Sequence, residues 1–312
     1  MTDMKIFTVT LSNVLLTLFY IIPGYLACKA KKACADHLPT MSAILVYVCS
    51  PCMLLSSFLA LDFSVSDLKS MGLFFVFSLF SQLCFMAVLY LIFRKKHGDS
   101  RYRIFNVASV LGNVGFFGLP VIRAVLPEYP VVMCYSGIYC VTMNLLVFSM
   151  GVYCLTGKKE YMTFRAAICN PTIFAFFVAL PLYIFGVKAY LPQTLIGGLN
   201  LLGNMTTPLC MLILGIRLAT VSLKKILTRP LVYAISFSKM VVYPLFCYAL
   251  VYFLPLSFPF KASMLILSSV PCASVILNLA ELHRSETELA ANCVLVSTLM
   301  CFLTIPVLTL LL

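Results

Sequence analysis

The sequence predicts an all-α polytopic membrane protein, built as ten transmembrane helices in two inverted five-helix repeats with helices 4 and 9 broken. Three observations carry that expectation. Of the 312 residues, 62% are hydrophobic and only 10% are charged, whereas a soluble domain carries about 25% charged residues. The apolar residues fall into long runs joined by short loops. Two of those runs carry helix breakers at positions 158 residues apart.

A bilayer core requires roughly 20 apolar residues per helix. On that measure the spans are 6–28, 38–60, 71–93, 104–126, 130–154, 167–187, 193–218, 230–254, 261–282 and 288–312. Span 1 follows Lys5 and ends ahead of Lys29, Lys31 and Lys32. Tyr25-Leu26-Ala27-Cys28 has the look of a lipoprotein cleavage site. The lysines behind it favour an uncleaved anchor with its N-terminus outside. Spans 2 and 7 carry equivalent prolines, Pro51 and Pro208, read as packing kinks.

Span 4 holds the densest set of breakers, S-V-L-G-N-V-G-F-F-G-L-P-V-I at 109–122. Gly costs about 1 kcal/mol and Pro about 3 kcal/mol in a helix interior. Backbone groups freed in lipid must be satisfied by protein or a water-lined cavity. The stretch therefore reads as a broken helix that holds a solute. Asn113 supplies a mid-membrane amide there and Gly112 precedes it. In span 5, Tyr139 and Tyr135 are candidates to line the same cavity. Span 8 places Lys239 about 14 Å deep, where an ionisable group is costly and marks function by default. It is expected to support the broken helices from behind, near Ser81 and Gln82 of span 3. Span 9 is interrupted by Pro271 and Cys272, with Ser268, Ser269 and Ser274 around them.

The 158-residue offset aligns Pro23-Gly24-Tyr25 with Pro181-Leu182-Tyr183, and Cys52-Met53-Leu54-Leu55 with Cys210-Met211-Leu212-Ile213. It also aligns the break at Gly112 with that at Val270. Each repeat, 1–154 and 159–312, holds five spans, so the second inserts upside down. Inverted repeats with paired interrupted spans point to a secondary transporter and its binding site.

The net charge of +12 reflects loop placement rather than nucleic-acid binding. Sixteen Lys and Arg fall in loops at 29–32, 94–103, 158–165, 217–229 and 284. Five fall on the other side: Lys5, Lys69, Arg123, Lys188 and Lys261. The basic side is then cytoplasmic, both termini face outward, and the chain belongs in the cell membrane. Arg123 and Arg217 near span ends read as snorkelling side chains. Asp62, Asp67, Glu128, Glu281, Glu286 and Glu288 all sit near ends or in loops. Without a mid-span carboxylate, a tightly coupled antiporter is disfavoured, although Asp62 or Glu281 is able to reach a vestibule.

No cofactor or metal is expected. Most of the fourteen cysteines lie in apolar runs, and Cys49-Ser50-Pro51-Cys52 has no second pair or nearby histidine. His37, His97 and His283 lack ligand spacing. A membrane enzyme predicts clustered Asp, His or Cys at one face, and none appears. A sensor or a channel on the same fold is the other alternative.

With these residues in hand, the chain resembles the auxin efflux carrier family, which includes plant PIN carriers and bacterial organic-acid (malate/malonate) permeases. The resemblance rests on G-N-x-G-x-x-G-x-P at 112–120, V-P-C-A-S-V-I-L at 270–277 and A-E-L-H-x-S-x-x-x-L-A at 280–290. The short loop at 155–166 resembles the bacterial branch. The resemblance implies a fold like sodium/proton antiporters and bile-acid symporters. Helices in 6–60 and 167–218 form a scaffold and homodimer interface. The resemblance implies that those in 71–154 and 230–312 form a mobile transport domain in which the broken spans 4 and 9 cross, moving a small carboxylate anion by an elevator motion. It implies solute contact at Asn113, with Gly112 replacing a family proline. Pro271 matches the second crossover proline, Cys272 stands where plant members carry Gln, and Ser42 where they carry Asn.

Overall fold

A computed structural model describes residues 3–96, 98–157, 170–220, 229–283 and 285–312. His97, Lys158, Lys159, Arg165, Lys224, Lys225 and Arg284, and most of the 155–166 loop, lie outside the described residues. The described residues are helical throughout, with one isolated β-bridge.

In chain order the helices are α1 (Met4–Lys29), α2 (Ala35–Leu59), α3 (Val65–Ile92), α4 (Ser100–Ala108), α5 (Val114–Val125) and α6 (Val131–Cys154). They continue as α7 (Pro171–Ile184), α8 (Gln193–Thr220), α9 (Pro230–Tyr252), α10 (Phe258–Ser268), α11 (Ser274–Leu282) and α12 (Thr287–Thr309). Seven are long and apolar enough to cross a bilayer: α1, α2, α3, α6, α8, α9 and α12. Three expected spans correspond to shorter apolar helices, α5, α7 and α10. Residues 167–169 of the sixth expected span are outside the described set.

Local chemistry sets the helix ends. The Ser64 hydroxyl accepts from Asp67 N at 3.3 Å to open α3, and the Asn170 carbonyl accepts from Thr172 N at 2.9 Å ahead of Pro171 to open α7. These side chains satisfy first-turn N–H groups that lack intrahelical partners. Asp99 opens α4 in the same way and pairs with Arg101 at 2.7 Å. Hydrogen bonds from Arg101 hold the Asp99 carboxyl below the usual range. Wide π turns at Leu45–Cys49, Val114–Gly118 and Ser238–Val242 sit just ahead of Pro51, Pro120 and Pro244. A proline cannot donate to the preceding turn, so the ladder loosens there.

The helices form two groups. In one, the second half of α8 packs along the end of α1, and α2 lies against α7 and α8. A Cβ on Gly24 would collide with the Leu212 carbonyl, and one on Gly215 with the Ile21 carbonyl. Glycine is required at both positions by this close backbone approach. In the other group α3 packs on α6, with Phe74 stacked on Tyr135 at 4.4 Å, and α9 packs on α10 and α12. α1 touches α5 and α12 along the seam between the groups.

Loops of one membrane face are stitched together at one end. Lys29 Nζ donates to Ala219 O at 3.2 Å, Ser100 Oγ donates to Glu286 Oε1 at 2.6 Å, and Arg229 pairs with Glu288 at 2.8 Å. These are the loops in which the sequence concentrates Lys and Arg. At the other end Lys188 pairs with Asp62 at 2.8 Å. Phe174, Phe177 and Leu201 are among the exposed apolar side chains, as a lipid-facing surface requires.

Candidate functional site

Both interrupted stretches meet at one point. α4 ends at Ala108 and α5 starts at Val114; α10 ends at Ser268 and α11 starts at Ser274. The segments between them pair antiparallel, with Gly112 opposite Cys272. Asn113 N donates to Pro271 O at 2.8 Å, and Ala273 N donates to Leu111 O at 3.0 Å. Cys272 N donates to Ser297 Oγ of α12 at 3.0 Å. These bonds pair part of the backbone freed by the breakers with protein groups, as apolar surroundings favour.

The pairing orients four helix ends. The C-termini of α4 and α10 lie behind the breaks, and the N-termini of α5 and α11 open on a cavity of about 280 Å³. Gly115, Phe116, Ser274 and Val275, the first-turn residues of those two helices, line it. Such N–H groups have no intrahelical acceptor and carry the positive end of the helix dipole. Helix N-termini of this kind favour negatively charged groups in general, without a full positive charge of their own. Asn113 lies at the centre, 7% exposed, with its amide Nδ2 3.8 Å from Cys210 Sγ.

The sequence profile of the family described as "Membrane transport protein" matches residues 9–161 and again residues 155–309. The chain belongs to this family. It is the auxin efflux carrier family that the motifs resemble. An uncharacterized transporter of Methanocaldococcus jannaschii is 26% identical over 295 residues, covering 91% of this chain and 93% of that protein. An uncharacterized transporter of Methanothermobacter thermautotrophicus is 22% identical over 306 residues, covering 96% and 98%. The chain is a multi-pass membrane protein of a transporter family, and one break lies within each matched segment.

Of the residues singled out in this family member, Asn113, Gly112 and Ser42 line the cavity. The structure places the others behind it. Pro271 contributes its carbonyl to Asn113 N, and the Cys272 thiol points to Ala108 O at 3.3 Å. The Tyr139 hydroxyl meets the Tyr243 hydroxyl at 2.7 Å, so it faces α9 and is not among the cavity-lining residues. Tyr135 bonds to Ser70 in the α3–α6 contact.

Lys239 is fully buried. Its Nζ donates to Ser268 O at 2.7 Å and sits 4.7 Å from the centre of the Tyr243 ring. It therefore binds the last turn of α10, where unpaired carbonyls carry the negative end of the dipole. A Cβ on Gly112 would lie 2.9 Å from the same Nζ. Ser81 donates to Ser78 O at 3.0 Å, and Gln82 Nε2 donates to Ser78 O and Thr142 Oγ1. These two brace α3 against itself and α6.

Polar groups that sequence reasoning did not assign to a site also line the cavity, among them Asn144, Asn170, Asn278 and Arg217. Asn144 is a mid-span amide like Asn113, so its position in span 5 was a usable signal. Arg217 reads as an interfacial residue until its partners are seen. It pairs with Glu281 at 2.7 Å and donates to Asn278 Oδ1 at 3.1 Å. Among the described residues no group of three or more His, Cys, Asp or Glu is placed to hold a metal ion.

Proposed function

We propose that this protein is a secondary carrier that moves small carboxylate anions across the cell membrane by an elevator-type motion. The observation that carries the reading is the convergence of two helix N-termini and the Asn113 amide on one cavity. That set of donors suits a carboxylate better than a cation or a sugar. Apolar side chains such as Leu45, Val114, Phe148 and Ile213 surround it and suit an organic body.

In this reading α5, α7 and α10 complete ten passes, with 1–154 and 159–312 as inverted repeats. The two profile matches part near the same point, which supports it. Helices α3–α6 and α9–α12 form the moving body. Helices α1, α2, α7 and α8 form the scaffold, which also joins two copies as a homodimer. The stitched basic loops face the cytoplasm and both termini face outward.

The test is uptake of radiolabelled benzoate, malate and malonate by proteoliposomes containing the native chain or Asn113→Ala. A hydrogen bond to a charged group contributes about 1.5–3 kcal/mol, so uptake of the transported acid should fall about tenfold or more. The Asn113 backbone bond to Pro271 is retained, so expression and folding should hold. Undiminished uptake by a well-folded Asn113→Ala protein removes Asn113 from the site.

A further inference from the structure

A second cavity, of about 450 Å³, lies beyond the first. It is bounded by α1, α2 and α8 on one side and by α5 and α6 on the other, the same seam that holds the inner cavity. Three helices pass from one cavity to the other within about one turn. On α5 the lining changes from Phe116 to Leu119, on α8 from Cys210 to Thr207, and on α2 from Ser50 to Met53. The partition between them is thin. Thr207 Oγ1 donates to Phe116 O at 2.9 Å, and a Cβ on Gly115 would lie 3.5 Å from Met53 Cε.

The lining of this outer cavity is polar for a membrane protein. Asn13 and Thr17 of α1, which also donate to Val9 O and Asn13 O of their own helix, and Asn200 and Asn204 of α8 line it, each pair one turn apart. Arg123 of α5 brings a positive charge into it. Arg217 at the inner cavity is neutralised by Glu281, whereas Arg123 makes no salt bridge with a described residue. A cation that merely reached for the interface needs no cavity lined by amides.

We propose that the outer cavity is a second anion-binding station, in which Arg123 draws small carboxylates from the face opposite the basic loops, and that Met53, Phe116 and Thr207 separate it from the inner site. A cavity lined by a positive charge with no acidic partner among the described residues raises the local concentration of anions. The role of the station as the far end of one route rests on the carrier reading above. The attraction of anions does not.

The experiment reads that attraction without transport. Asn204→Cys is made in the full chain, reconstituted in lipid nanodiscs, and reacted with anionic methanethiosulfonate ethylsulfonate or with its cationic trimethylammonium counterpart. Modification at position 204 is followed by peptide mass spectrometry, so the native cysteines do not interfere. The anionic-to-cationic rate ratio is divided by that of a free thiol in solution. With Arg123 present the normalised ratio should exceed unity. Arg123→Gln should lower it about threefold or more, and Arg123→Lys should keep it. A ratio indifferent to Arg123→Gln, or a Cys at 204 inert to both reagents, overturns the proposal. Anion attraction at position 204 in a protein that moves no carboxylate would instead overturn the carrier reading and leave the station standing.

Discussion

The backbone N–H of Asn113 donates to the carbonyl of Pro271 at 2.8 Å, and these two residues are related by the 158-residue offset itself. The neighbouring antiparallel contacts, Gly112 with Cys272 and Leu111 with Ala273, run outward from that pair. The pairing is antiparallel and is centred on two positions 158 residues apart. An asparagine and a proline 158 positions apart thus meet in one hydrogen-bonded unit.

Gly112 leaves no room for a side chain. A Cβ there would lie 2.7 Å from Val270 Cγ2 and 2.9 Å from Lys239 Nζ. Val270 is fully buried, and Lys239 is held by its bond to Ser268 O. Gly112→Ala should cost about 1–3 kcal/mol, the range for overpacking a tight core. Thermal unfolding in detergent measures it. An unchanged midpoint would mean that Val270 and Lys239 yield freely.

Lys239→Met keeps the volume and removes the charge. The buried Ser268 carbonyl loses its Lys239 donor, at a cost of about 1–3 kcal/mol. The C-terminal end of α10 also loses its compensating cation. The variant should unfold at a lower temperature, and its carboxylate uptake should fall because the opposing N-termini are no longer fixed. A Lys239→Met protein that is more stable than native and transports normally would show that desolvating the ammonium outweighs what it braces.

Arg217 and Glu281 make opposite predictions for substrate affinity. The pair joins α8 to α11 at the rim of the inner cavity, with side chains 16% and 46% exposed. Solvent screening limits their coupling to about 1 kcal/mol. Glu281→Gln frees the guanidinium and should lower the KM for a carboxylate severalfold. Arg217→Gln should raise it. In the double variant the two effects should fail to add, as expected for contacting residues. If both single substitutions shift KM in the same direction, the pair is a tether between helices and takes no part in recognition.

The sequence by itself determined the membrane class, the positions of the apolar runs and the place of each break. These follow from composition and from the chemistry of Gly and Pro, which act on their own segment. Asn113, Gly112 and Ser42 were legible as cavity residues for that reason, or through the family motif. Orientation was not legible. A helix that is apolar all round carries no stripe to show which face meets which neighbour. Only the tertiary structure decided that Tyr139 turns to Tyr243, that the Cys272 thiol turns to Ala108, and that Asn144 faces the cavity. It also decided that Arg217 meets Glu281, 64 residues away, and that Lys239 ends on the Ser268 carbonyl. Each of these contacts exists because another helix supplies the partner, and in an apolar interior a buried polar group settles where a partner is found.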